Sequence, residues 1–396
     1  MVGLAFAIAT RMALPQSEVV VLEARPIPQG NPDPLDTRAS ALNLASRSIL
    51  EHWGLWSSLA AQSGVIEKIH VSNQGRFGSS LITPEDIGQA PLGYVIENHT
   101  LGRALKAKSD ELGIELIAPA EVTSLATQPG GTGVELARGG AMSADLVIIA
   151  DGDQSTLRSR LGVDVDRRAN GQSAVVANVS FPGDQTHLAY ERFTPEGPLA
   201  MLPLPSVQPG HRRFNLVWSM ASARAEHMLR AEDADFAAAV QHAFGWRLGP
   251  VAAVGKRSGW VLDRNLAREQ VRQGFLVAGN AAHGIHPVAG QGLNLSLRDA
   301  ATLQRVLIEA VKDQRSVGDL NTLQRYVALV RDDQAQTVAA TDLLATLFNR
   351  RGVMLDLPRD AALAALDLVA PVRRRIARRG TGLDIPPVWS QDGLSA

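Results

Sequence analysis

Cysteine is absent from the 396 residues. Its absence excludes disulfides, thiolate nucleophiles and cysteine-ligated zinc or iron–sulfur centres. It also suits a reducing, cytoplasmic compartment. Aromatic residues are scarce, at 5%, which leaves few platforms for stacking bases. Neither sign of charge is in excess: the net value is -1, so no bulk field draws the chain to nucleic acid. A nucleic-acid partner is therefore not expected. Long apolar runs are missing too. The first, Val2 to Ala9, is too short to span a bilayer. No basic stretch precedes it and Arg11 follows it, so it does not read as a secretory signal.

What is present is an ordinary globular composition, 45% apolar and 20% charged. The length predicts two domains, or one large domain with a second inserted. Gly3 to Met12 reads as an Ala-rich helix, ended by Pro15. Glu18 to Glu23 (EVVVLE) has the β-branched, unbroken apolar character of a buried parallel strand. Ala39 to Trp56 reads as helix, and Lys68 to Leu81 as strands and turns. Asn98 to Gly113 is an amphipathic helix with a glycine stop. Glu121 to Leu136 suggests an antiparallel ribbon, and Ala144 to Gly162 a buried strand, an Asp-Gly turn and a helix. From Ser173 to Leu262 the runs alternate and are joined by Pro/Gly turns, the pattern of an antiparallel sheet. One helix, Ala231 to Phe244, interrupts it. Strand, glycine loop and long helix return from Gly274, and the chain is mainly helical from Asn321. The order predicts a nucleotide-binding α/β unit with an antiparallel unit threaded into it.

Three loops are candidates for holding a dinucleotide. The first is the opening, where a helix, a strand and a closing acid (Glu23) follow Gly3. A dinucleotide fold needs a glycine turn at a helix N-terminus for the pyrophosphate and an acid after the second strand for a ribose. Only the last part of that fingerprint is present. The second is Asp151-Gly152 after the strand DLVIIA. It puts a carboxylate at the sheet's carboxyl edge, although Asp-Gly equally makes an ordinary tight turn. The third, GNAAHGIHPVAGQGLNLSLRDA from Gly279 to Ala300, sets Gly290 and Gly292 before a helix expected from about Leu293. Glycine-borne amides at a helix N-terminus suit an anion or a flavin's polar edge.

Taken together, VVLEARP, DTRASALNLASRSILEHWGLW, FGSSLITPEDIGQAPLGYVIENHTLGRAL, DLVIIADGDQSTLRSRLG, ERFTPEGPLAMLPLP and GNAAHGIHPVAGQGLNLSLRD resemble the class A flavoprotein monooxygenases. More narrowly, they resemble the ubiquinone-biosynthesis hydroxylases. Within these, the Gly279-Asn280 pair is similar to the 2-octaprenyl-6-methoxyphenol hydroxylases. The resemblance runs from residue 2 to about 300 and is looser beyond. It implies an α/β protein of the para-hydroxybenzoate hydroxylase fold, with a Rossmann-like FAD-binding domain and an inserted, mainly antiparallel-sheet substrate domain. The expected division is 1–70, 98–170 and 268–345 for FAD, 71–97 and 171–267 for substrate, and 346–396 as a C-terminal helical region. Family members carry a strand and a glycine run directly before the stretch matching Met1-Val2-Gly3. The first strand is thus expected to be missing here, and a start assigned too late is the expected reason.

The resemblance also assigns roles. Gly3 stands for the last fingerprint glycine, and Glu23 binds the adenosine ribose. Arg38 lies beside the cofactor, and Arg103 reaches the pyrophosphate, where a guanidinium matches phosphate. Asp151 is associated with FAD and the nicotinamide donor, and Asn280 with ribitol and phosphate. Pro287, Gly290, Gln291, Gly292, Leu293 and Asn294 line the isoalloxazine. His286 and Pro287 are the candidates for a direct part in catalysis. The implied chemistry is ring hydroxylation: NADPH or NADH reduces FAD, dioxygen adds at the flavin C4a to give a hydroperoxide, and its distal oxygen passes to a phenol.

The implied substrate is a prenylated phenol, a quinone precursor. Phe193, Gly197, Leu199, Met201, Leu202 and Pro203 form an apolar stretch suited to it, or plain sheet core. Trp218 and Trp260 are equally ambiguous. The tail PVRRRIARRG carries five arginines. It reads either as peripheral contact with the inner membrane or as a solvated helix end. Association with other ubiquinone-pathway proteins is a further expectation. No metal site is expected. Two alternatives use the same residues: a related flavin hydroxylase acting on another ring or position, and a truncated, non-catalytic scaffold with impaired FAD binding.

Overall fold

A computed structural model describes residues 1–27, 30, 33–76, 79–128, 131–284, 291–349 and 370–384. The α-helices among them are α1 (Val2–Ala13), α2 (Leu44–His52), α3 (Trp56–Leu59), α4 (Asn98–Glu111), α5 (Thr156–Arg160), α6 (Ser222–Arg230), α7 (Asp233–Phe244), α8 (Gln291–Lys312), α9 (Leu320–Asn349) and α10 (Ala370–Gly380). Helix α1 is rich in alanine and other apolar residues from Leu4 to Ala9, and Ala5, Phe6, Ala7, Ile8 and Ala9 are buried. Its alanines let it lie close against α8, while α4 flanks it. Burying Phe6 and Ile8 contributes roughly 1.5–3 kcal/mol each.

Helix α1 also touches two separate strand groups. In one, Val20–Leu22 pairs in parallel with Glu115–Ile117. In the other, Val147–Ile149 pairs in parallel with Phe275–Val277, which carries the short antiparallel strand Val271–Arg272. Among the described residues, neither Val20–Leu22 nor Val147–Ile149 pairs with a second strand. The parallel sheet therefore stands in two pieces, bridged by α1. The apolar strands read from the sequence are these parallel ones. Leu276 and Val277 are fully buried, as expected for strands covered on both faces.

The stretch Ala39 to Trp56 is not one helix. Ala39–Leu42 is a strand, paired antiparallel with Gly93–Glu97. The cause of the break is Asn43, whose side chain accepts from the Ser46 N–H (2.9 Å) and starts α2 there. Helix α6 is likewise an element that the alternating pattern did not disclose, while α7 lies where a helix was read.

The remaining large element is an eight-stranded sheet. Its main path runs Ala253–Val254, Gln172–Pro182, His211–Ala221, Pro198–Leu204, Leu188–Phe193, Lys68–Asn73 and Ser79–Ile82, with Ser258–Val261 also paired to Gln172–Pro182. All pairs are antiparallel except Leu188–Phe193 with Lys68–Asn73. Period-two alternation gives this sheet two distinct faces. The outer face packs Val175, Leu199, Met201, Phe214, Leu216 and Trp218 with Phe236 and Phe244 of α7. The inner face meets the α/β part. There Asn178 Nδ2 donates to the Thr37 carbonyl (2.7 Å), and Arg213 pairs with Glu97 at 2.8 Å. Leu199, Met201 and Trp218 are thus sheet core, while Phe193 and Leu202 lie on the inner side.

Candidate functional site

The first turn of α1 is where the expected cofactor residues converge. A side chain added to Gly3 would meet only the Ala150 Cβ, at 3.9 Å, directly before Asp151. Gly279 has φ +59, and a Cβ there would lie 2.7 Å from Val2 Cγ1. Only glycine allows both that backbone and that approach. Gly102 faces Met1, so the helix that carries Arg103, α4, lies beside the first turn of α1. Glu23 follows the strand Val20–Leu22, and its N–H donates to the Ile117 carbonyl (3.0 Å). Its charge reaches the Met1 amino group, which burial holds below its usual value against the pull of Glu23.

Glu23, Arg38, Arg103, Asp151 and Asn280 are exposed, whereas Ile149, Ala278, Gly279 and Ala281 beside them are buried. The outcome is a polar rim over an apolar floor. Gln291, Gly292 and Leu293 form the first turn of α8, where backbone N–H groups lack intrahelical partners. Two helix N-termini and two guanidinium groups supply positive potential, and Glu23 supplies a carboxylate. Phosphate needs the first set and a ribose diol the second, so these residues fit a dinucleotide such as FAD. His286, Pro287 and Gly290 lie outside the described residues.

Arg38 stands at the junction of the two sheet systems. Its guanidinium carbon lies 4.9 Å from the centre of the Trp260 ring, and its carbonyl accepts from the Asn98 N–H (2.8 Å). Trp260, ambiguous in the sequence, is thus the Arg38 partner.

Asn294 has a different place from its neighbours. Its side chain is fully buried in the protein's own hydrogen bonds. Oδ1 accepts from the Asn43 N–H (3.0 Å) and the Ser46 hydroxyl (2.7 Å), and Nδ2 donates to the Ala41 carbonyl (2.9 Å). The side chain therefore fixes where α8 begins, relative to α2 and the strand before it.

Several supporting residues escaped the sequence reading. Arg158 is buried and donates to the carbonyls of Ala281 (2.6 Å) and Asp153 (3.0 Å). It clamps the Asp-Gly turn to the Gly279–Ala281 turn. Asn265 Nδ2 donates to Asp153 (2.7 Å). His283 is buried against Asp299 at 2.7 Å, and Gln334 donates to the same oxygen (3.0 Å). An arginine one turn after Asp-Gly was the one visible signal. The others depend on contacts far apart in sequence.

A polar rim on a split parallel sheet beside the inner side of an antiparallel sheet is the arrangement expected of a flavin-dependent monooxygenase, and comparison with known proteins gives that class. Residues 16–338 match the FAD binding domain family, and the chain belongs to it. It is 34% identical over 348 residues to the ubiquinone hydroxylase UbiL of Rhodospirillum rubrum, covering 88% of this chain and 80% of that one. It is 29% identical over 379 residues to the 3-demethoxyubiquinol 3-hydroxylase of Escherichia coli, covering 95% of each. Among solved structures, the p-nitrophenol 4-monooxygenase PnpA of Pseudomonas putida superimposes with TM-score 0.75 at 18% identity, over 98% of this chain and 95% of that one. PqsL, a probable FAD-dependent monooxygenase of Pseudomonas aeruginosa, gives 0.73 at 19%, over 91% and 97%.

The two asparagines should separate on mutation. Asn294→Ala removes the partner of two buried groups and of one part-buried carbonyl, so urea unfolding should show a loss of about 2 kcal/mol or more. Asn280→Ala, at an exposed site, should change stability by less than about 0.5 kcal/mol while weakening FAD retention in flavin titrations. Equal stability losses would contradict this division.

Proposed function

We propose that this chain hydroxylates the ring of a prenylated phenol, a precursor of ubiquinone, using FAD, NADPH or NADH, and dioxygen. The observation that carries the reading is the apolar row Val71, Ala200, Val217 and Val176 on the inner face of the large sheet. These residues are half-buried and in lateral register, beside the Arg38 and Trp260 edge of the rim. An aromatic ring with an apolar tail suits such a wall. The named activities of the relatives supply the substrate class.

When bound, FAD supplies the electron and oxygen-transfer chemistry that the side chains lack. The protein's own part is to bind, orient and keep dry. Glu23 holds a ribose, Arg103 the pyrophosphate, and Asn280 offers both an acceptor and a donor without adding charge beside phosphate. Asp151, from the end of its strand, contacts the cofactor and the nicotinamide donor. The first-turn amides of α8 stabilise negative charge on the isoalloxazine. Pro287 and Gly290 belong to the same loop by sequence. His286 is a candidate for moving a proton near the ring.

The strand Lys68–Asn73 belongs entirely to the eight-stranded sheet, and Gly93–Glu97 to the sheet of Ala39–Leu42. We therefore place the first domain boundary before Lys68 and the return between Ile82 and Gly93. In α10, Arg373 pairs with Asp86, Arg378 with Asp384, and Arg379 donates to Gln336. Arg374 and Arg375 are exposed. These two are the proposed contact with an anionic membrane surface on the cytoplasmic side. Among the described residues no helix is long and apolar enough to cross a membrane.

Purified protein should show a flavin spectrum, and a prenylated phenol should accelerate its NAD(P)H oxidation. Efficient conversion of a small soluble phenol acid, with prenylated phenols ignored, would favour the alternative ring substrate. A colourless protein that FAD cannot reconstitute would favour a scaffold. For the membrane contact, cosedimentation with anionic vesicles should fall on Arg374→Glu/Arg375→Glu, each lost charge weakening binding by about 1 kcal/mol. Unchanged cosedimentation would remove it.

A further inference from the structure

Glu191 lies in the middle of the strand Leu188–Phe193. Its neighbours point to the outer face: the Tyr190 ring packs on Phe244 at 5.2 Å, and Arg192 Nε donates to the Ala243 carbonyl of α7 (3.0 Å). Alternation then turns Glu191 inward. Register sets Val71 on one side of it and Ala200 on the other, with Val217 and Val176 beyond. None of these four has a polar side-chain atom. The whole row is half-buried, while Ala189 (2% exposed) and Phe193 (7%) on either side are closed over. It is a half-buried row across five strands with a single carboxylate in it. At its far end Trp260 is paired beside Ala174, two residues from Val176 on the same face, with Arg38 over it.

Among the described residues Glu191 makes no hydrogen bond or ion pair. Among the described residues, three arginines on the inner side have partners of their own: Arg213 with Glu97, Arg373 with Asp86, and Arg38 on Trp260. His70, Tyr190, Arg192 and Arg247 gather on the outer side, where Arg247 meets the His70 ring. Burial alone pushes the Glu191 carboxyl up to about 7.

We propose that Glu191 receives the hydroxyl of the aromatic substrate and takes its proton as the ring is oxygenated. This rests on the hydroxylase reading above. The ring O–H bond breaks, its electron pair stays on the ring oxygen and enriches the ring, and the proton moves to a Glu191 oxygen. When the hydroxylated carbon sheds its hydrogen to water and aromaticity returns, Glu191 gives the proton back to the ring oxygen.

The test uses holoenzyme and 4-nitrophenol, whose ionisation is visible by absorbance. In the wild type the carboxylate and the phenol share one proton, so bound 4-nitrophenol should ionise at higher pH than in Glu191→Gln. The amide donates to the phenolate instead, and a difference of about one pH unit or more is expected. With a prenylated phenol, wild-type turnover should rise with pH through about 7, the carboxyl's own value. Glu191→Gln should lose that limb and about 10²-fold in kcat, and Glu191→Asp should restore part of it.

A raised carboxyl value favours the folded state below its ordinary 4.5 and loses that advantage as pH rises through about 7. Glu191→Gln should flatten stability across that window, a check independent of substrate. Identical probe ionisation and pH profiles in wild type and Glu191→Gln would overturn the proposal. A flavin-loaded wild type that binds no phenol would overturn the hydroxylase reading, and this proposal with it.

Discussion

The packing of α1 against α8 sets the places of the rim residues at the ends of the parallel strands. Helix α1 is narrow because its buried face is Ala5, Ala7 and Ala9 around Phe6 and Ile8. A narrow helix can touch α8, α4 and both pieces of the parallel sheet at once. Its first turn therefore becomes the meeting point of three strand ends and a second helix. A bulkier α1 would move Asp151, Asn280 and Arg103 apart together. The tolerance is small, since interiors are packed to near-crystalline density.

A second constraint sets α8 against the strand–helix unit of residues 39–52. One buried amide, Asn294, satisfies a backbone N–H, a hydroxyl and a carbonyl there. The end of α10 adds to the same corner, where the Leu44 N–H donates to the Thr381 carbonyl (3.0 Å). Polar atoms at this depth cost free energy unless every one is paired. They are conspicuous in cores for that reason, and here they fix the direction of the α8 amides. On the inner face of the large sheet the logic is reversed: Glu191 is half-buried and has no hydrogen-bond or ion-pair partner among the described residues, and its chemistry follows from that isolation.

The parallel strands, α1, α4 and the antiparallel sheet could be read from the sequence because burial imposes a period on the chain. The residues Gly3, Glu23, Arg38, Arg103, Asp151 and Asn280 came from motif resemblance; Gly3 and Arg103 lie in helices, the others at or beside strand ends and turns. The strand Ala39–Leu42 was read as helix because Ala and Leu are strong helix formers, and only pairing with Gly93–Glu97 overrides that preference. The role of the Asn294 side chain was hidden for a similar reason. It rests on partners some 250 positions away, which no local pattern reveals. Glu191 was passed over inside an apolar stretch because the face it occupies follows from register, not from its neighbours in sequence.

The central claim is that this FAD-dependent enzyme places one atom of dioxygen on the ring of a prenylated phenol held against the inner sheet face. The most direct measurement is mass spectrometry of the product formed by flavin-loaded protein under isotopically labelled dioxygen. The account predicts one labelled oxygen on the ring, formed together with oxidation of the nicotinamide donor. A flavin-loaded protein that consumes the donor and dioxygen in the presence of the phenol, yet leaves the ring unlabelled, would contradict it.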